Sequence, residues 1–212
     1  MSFALHDLGA RTHEGAAMTS ILIVYATRDG HTRLVAQHLA KRFNKLGYFV
    51  QLYDARDTTT KPRVAQFSGI VLAASLRMAK HHKEMRQFIE REREWLAVRP
   101  TAFLSVSLSA AGAQDASRPA EYRERVTLEL EKCTDQLYAK TRWRPGRTEF
   151  VAGALMYTRY NPLLRWVMQR IARKEGASTN TREDHVFTDW KALDRFVDDF
   201  VATIEPAVAV AS

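Results

Sequence analysis

A chain of 212 residues, 46% of them hydrophobic, is long enough for one domain with a filled core. Its apolar runs are strand-sized and fall short of the about 20 residues a membrane span needs, and a lone cysteine, Cys133, excludes an internal disulfide and a cysteine-built metal cluster. The formal charge of +8 favours anionic partners, and with no zinc-finger spacing or RNA-recognition signature, nucleic acid fits that charge least well.

Residues 1–18 carry Asp7, His13 and Glu14 and lack the apolar centre of a secretory signal. They read as a disordered extension of a cytoplasmic protein, with Met18 as an alternative start. One domain then spans 19–205. Apolar, β-branched runs at Ile21–Ala26, Phe49–Ala55, Gly69–Ser75, Thr101–Ser107 and Thr148–Leu155 predict five strands. Between them, Leu34, Val35, Leu39, Phe43 and Leu46 have helical spacing over Thr32–Leu46, with Gly47 as the stop. Lys61–Gln66 supports a turn or two, and His82–Val98 and Pro119–Lys140 predict further helices, the first carrying the solvated face Arg91-Glu92-Arg93-Glu94. Cys133 falls within the second as a packed thiol. The last helix, Trp190–Ile204, has Thr188 or Asp189 to cap it, and 206–212 is expected to fray. Strand–helix alternation of this kind predicts a doubly wound α/β sheet. Residues 156–184 break the alternation and read as an insertion holding a basic amphipathic helix around Leu163, Trp166, Val167, Arg170 and Arg173, after which His185-Val186-Phe187 resumes the fifth strand.

The chemistry points to the first strand–helix junction, Thr27-Arg28-Asp29-Gly30-His31-Thr32. Amides at a helix start have no internal partner and sit at the positive end of the dipole, so a phosphate satisfies several at once. Thr27 and Thr32 add hydroxyls, and Gly30 permits a close turn. The chain has neither the Gly-Lys-Ser/Thr of a nucleoside triphosphatase nor a G-x-G-x-x-G dinucleotide loop, so the turn suits a monophosphate such as that of FMN. In such sheets ligands bind beyond the strand C-termini, which brings in Ser75, Leu76 and Arg77 after the third strand and Ser107, Leu108, Ser109 and Gly112 after the fourth. Arg77 can meet an anionic reduced flavin or an acidic substrate. His81 and His82 lack ligand-spaced partners for a metal; His82 remains open as a general base or as a polar cap.

These residues carry a resemblance. The turn Thr27-Arg28-Asp29-Gly30 with Thr32, Ala74-Ser75-Leu76-Arg77 followed by His82, Trp143-Arg144-Pro145, Ala152-Gly153-Ala154-Leu155 with Tyr157 and Arg159-Tyr160, Thr179-Asn180-Thr181-Arg182 and Thr188-Asp189-Trp190 together resemble the flavodoxin-like, menaquinone-dependent protoporphyrinogen IX dehydrogenases of haem synthesis. The resemblance covers Thr19 to Ile204 and departs from the family pattern at Met78, Ala79 and Asn180. It implies a five-stranded parallel sheet of order 2-1-3-4-5 with helices on both faces, FMN as cofactor, protoporphyrinogen IX as substrate and menaquinone or ubiquinone as acceptor. For such a substrate, Arg77 and His82 are the candidate catalytic residues, and Arg77, Arg159 and Arg182 would attract and orient the two propionates. The basic insertion would dock peripherally on the anionic cytoplasmic face of the inner membrane. A flavodoxin-like NAD(P)H:quinone reductase or an FMN electron carrier is the alternative reading, and self-association is left open.

Overall fold

The computed structural model describes residues 19–174 and 179–211; the extension expected at 1–18 lies outside them. In chain order the elements are β1 (Ser20–Ala26), α1 (His31–Lys45), β2 (Phe49–Asp54), β3 (Gly69–Arg77), β4 (Lys80–His81), α2 (Lys83–Ala97), β5 (Thr101–Ser107), α3 (Leu108–Gln114), α4 (Ala120–Thr141), β6 (Arg147–Ala152), β7 (Ala154–Leu155), α5 (Pro162–Lys174), β8 (His185–Val186) and α6 (Trp190–Ala211), with 3₁₀ turns at Val64–Gln66 and Tyr157–Arg159.

Side chains of a strand alternate between faces, and β1 uses both. Ile21, Ile23 and Tyr25 pack with Val35, Leu39 and Phe43 of α1 and with Phe196, Val197 and Phe200 of α6. Leu22, Val24 and Ala26 pack on the opposite side with Met85, Phe88 and Ile89 of α2 and with Leu137 and Tyr138 of α4. Most of these side chains are fully buried, each worth about 1.5–3 kcal/mol relative to exposure. A strand covered on both faces has no polar side, which is why β1 and β5 read as continuous apolar runs.

The main sheet has the order β2-β1-β3-β5-β6, every neighbouring pair parallel, as the sequence reading expects for its five strands. The short β4 was not foreseen. It folds back antiparallel on β3, pairing Leu76 with His81 and Arg77 with Lys80. The two residues between, Met78 and Ala79, both have positive φ, 48° and 57°. That is the backbone of a primed two-residue hairpin turn, in which non-glycine residues are strained.

Three expectations need correction. The fifth sheet strand ends at Ala152, and His185–Val186 does not resume it: these residues pair antiparallel with Ala154–Leu155 in a separate ribbon. Gly153 separates the two pieces because a Cβ there would come within 3.2 Å of the Ser107 backbone. The stretch after β5 is a helix, α3, and not an open loop; Ser107 caps it and its alanines favour helix. Finally, α6 runs on through Pro206 to Ala211.

Candidate functional site

The chain leaves β1 for β2 on one side and returns as β3 on the other, so the helices on either side of that point diverge and leave a crevice at the strand C-termini. α1 starts there. Its N-cap is Gly30, at φ 89° and ψ −12°, a left-handed conformation that suits glycine; this residue has no side chain to cap the helix, and the first turn contains no acidic residue. The Gly30 amide donates to Thr27 Oγ1 (3.0 Å), which folds the turn back toward the strand end. Thr27, His31 and Thr32 are buried, whereas Arg28 is exposed. The turn thus brings the start of α1, two hydroxyls, the Arg28 guanidinium and the Asp29 carboxylate to the same cleft.

A contact across 157 residues holds this turn. Thr188 Oγ1 donates to the Ala152 carbonyl (2.6 Å) and lies 2.7 Å from His31 Nε2. The hydroxyl has one proton, already given to Ala152, so it accepts from His31, which fixes the proton on Nε2. Of the two residues expected to cap α6, Asp189 does so, taking the Ala192 amide at 3.0 Å; Thr188 is used for the site instead.

The cleft in front of the turn is walled by Ser75, Leu76 and Arg77 of β3, by Ser107 and Leu108, and by Gly153 and Ala154. Tyr160 and Met168 from the excursion after β6 complete it. Arg77 is the residue of the cleft with unmet hydrogen-bonding capacity: its Nη1 is buried and has no acceptor among the described residues. The Tyr160 hydroxyl accepts from the Met156 amide (3.2 Å). Burial, aided by the charge of Asp29 and opposed by that amide and Arg77, pushes the phenol up to about 12, so it is neutral.

Most of the residues expected to hold the cofactor therefore come together: Thr27 through Thr32, Ser75, Leu76, Arg77, Ser107 and Leu108. Ser109 and Gly112 do not line the cleft. They lie within α3, and Gly112 borders a neighbouring cavity of about 430 Å³ lined also by Asp115, Arg118 and Asp189, away from the start of α1. His82 stands outside the cleft lining, at the N-cap of α2 without a side-chain capping bond, with Nδ1 3.6 Å from Glu84 Oε2. Burial lowers its pKa against the pull of Glu84. Arg182 is exposed in the turn after α5, its amide donating to Asn180 Oδ1 (3.1 Å). Arg159 ends the 3₁₀ turn Tyr157–Arg159, and its side chain lies outside the described residues. Sequence reasoning missed Met168 and the pairing of Thr188 with His31. Tyr160 was noted only as part of a resemblance.

An open helix start at the switch point of a parallel sheet, fronted by a cleft with an unanswered guanidinium, defines a flavodoxin-like protein, and the residues present fit a flavin. Comparison with known proteins agrees. Residues 22–182 match the flavodoxin domain family. The chain is 30% identical over 175 residues to the protoporphyrinogen IX dehydrogenase (quinone) of Escherichia coli K12, a match covering 82% of this chain and 91% of that protein. It is 28% identical over 182 residues to the protein of the same name from Leishmania major, covering 85% and 74% of the two chains. Oxidised flavodoxin 1 of Bacillus cereus superposes with a TM-score of 0.46 at 13% identity, over 87% of this chain and 98% of that one. The chain belongs to the flavodoxin domain family and, within it, to the group of the protoporphyrinogen IX dehydrogenases (quinone).

Proposed function

We propose that this chain is an FMN-dependent dehydrogenase that oxidises protoporphyrinogen IX and passes the electrons to a membrane quinone, menaquinone or ubiquinone. The observation that carries the reading is the glycine-led start of α1 at a cleft also lined by Arg77, whose buried Nη1 has no hydrogen-bond partner among the described residues. The 30% identity to a bacterial enzyme of that name supports it. FMN, when bound, supplies the redox chemistry, taking reducing equivalents from one partner and yielding them to the next.

The protein supplies position and charge. The first amides of α1, with the hydroxyls of Thr27 and Thr32, hold a doubly charged phosphate. Leu76, Leu108 and Met168 give the cleft apolar walls for a planar ring, and Arg77 answers negative charge that arises there or arrives on a substrate carboxylate. His82, whose pKa burial lowers against the pull of Glu84, is the nearby candidate for a proton acceptor at the edge of the site. Replacing Arg77 and His82 together by alanine is expected to lower turnover of the tetrapyrrole; unchanged turnover removes both from the reading.

The quinone lies in a bilayer, and no helix among the described residues is long and apolar enough to cross one. α5 suits a peripheral contact with the cytoplasmic face. Met168 and Ala172 pack inward, while Leu163 and Trp166 are 72% and 56% exposed, with the Arg170 guanidinium 5.4 Å from the Trp166 ring centroid and Arg173 exposed beside them. An apolar stripe flanked by arginines matches an anionic lipid surface. Leu163→Asp with Trp166→Asp should abolish co-sedimentation with anionic vesicles and leave the flavin spectrum intact; retained sedimentation rules out this face.

The deciding experiment is anaerobic flavin reduction. The purified protein should be yellow, and protoporphyrinogen IX should bleach it faster than NADPH does. Bleaching by NADPH alone would assign the chain instead to the nicotinamide-dependent quinone reductases.

A further inference from the structure

The β3–β4 hairpin separates the cleft from a second opening. On its far side a cavity of about 160 Å³ lies between β4, the first turns of α2 and the C-terminal half of α4, lined by Lys80, Lys83, Arg86 and Lys140 together with Gln136 and His81. No carboxylate lines it among the described residues. It is large enough to admit a solvated carboxylate. Arg86 Nε is buried without an acceptor; Glu90, its ion-pair partner, stands 3.6 Å away, beyond hydrogen-bonding distance.

Cations gathered in this way repel one another, and Arg86, although its side chain is 43% exposed and pairs loosely with Glu90, keeps one buried donor without a hydrogen bond. An anion bound among them answers both. His81 adds no charge near neutral pH: its Nε2 lies 3.0 Å from Ser105 Oγ, and burial with the neighbouring His82 lowers it to about 4. The cavity stands close to the cleft. Arg77 lines the cleft, and its hairpin partner Lys80 lines the cavity.

We propose that this basic cavity is a carboxylate subsite, seating an acidic side arm of the substrate whose ring lies across the hairpin at the cleft. The proposal rests on the tetrapyrrole reading above. Arg86 and Lys140 then act as positioning residues, remote from the reacting atoms.

The test uses the FMN-loaded protein with protoporphyrin IX, the stable oxidised tetrapyrrole, and with its dimethyl ester, binding being followed by porphyrin fluorescence. Arg86→Gln combined with Lys140→Gln is expected to weaken binding of the diacid about tenfold or more while leaving the ester unchanged. Lys41→Gln with Lys45→Gln removes the same charge from α1 and should change neither. The flavin spectrum reports whether each variant is folded. Undiminished diacid binding by the cavity variant overturns the subsite, as does equal loss for diacid and ester, equal loss in the control pair, or no diacid binding by the unaltered protein. Turnover is scored separately. If protoporphyrinogen is not oxidised, the functional reading falls, while a diacid preference that depends on Arg86 and Lys140 would still uphold the subsite.

Discussion

Two helices begin where a central strand ends at the same edge of the sheet, α1 after β1 and α3 after β5, and the two starts differ. At α3 the strand's last residue, Ser107, turns its hydroxyl back and accepts the Ala110 amide at 3.2 Å, sealing the helix with its own chain. At α1 the equivalent position is Gly30, which has no side chain, and the first turn has no acid. A good capping side chain is worth about 1 kcal/mol. The side-chain cap is absent from the N-cap residue at the switch point and present two strands away, and Arg77, with its unbonded Nη1, lines the cleft at the first of these starts. An uncapped end beside a capped one is thus more informative than either end alone.

The largest expected effect is at the open end. Gly30→Val forces a β-branched residue into φ 89°, reshapes the turn and should weaken FMN binding about a hundredfold, read by titration of the flavin-free protein. Ser107→Ala should change FMN affinity no more than a few-fold. Equal effects would erase the distinction between the two starts.

The β5 side is also held by neutral groups, and this gives a pH signature. The His81 pKa is lowered from 6.5 to about 4 in the fold, so across that window the unfolded chain binds a proton that the folded chain refuses. Stability is full above about pH 6.5 and falls by roughly 3 kcal/mol as the pH drops to about 4. His81→Gln should flatten that part of a stability-versus-pH curve; an unaltered slope would show that other groups set it.

Smaller effects sharpen the contrast. Ser107→Ala should lower the stability of the flavin-free protein by about 1 kcal/mol, seen as a lower urea midpoint with unchanged slope. Asp189→Ala, at the start of α6, removes a more exposed cap and should cost about 0.5 kcal/mol with no change in flavin binding.

Much of this was legible in the chain. The alternation of strand-sized and helix-sized runs matched the sheet order, and the six-residue turn Thr27–Thr32 lies where strand–turn–helix reasoning puts it. α3 was missed because Ser107-Leu108-Ser109-Ala110-Ala111-Gly112 is small and glycine-containing, which reads as loop, whereas its alanines and the Ser107 cap favour helix. β4 was missed because Met78-Ala79 carries none of the glycine or asparagine that marks a primed turn. The His185–Phe187 segment was recognised as extended, but its partner was misassigned, since a two-residue run does not say which strand it joins.

Periodicity, caps and turn residues act within a few positions of one another, and for that reason most element types, the doubly wound class and the strand–turn–helix at Thr27–Thr32 follow from residue order. The tautomer of His31, the missing acceptor at Arg77 and the convergence of Lys80, Arg86 and Lys140 depend on groups distant in the chain whose separation is fixed by packing. A side chain's identity is written locally. Whether its hydrogen-bonding capacity is met depends on what the folded chain brings within about 3 Å of it.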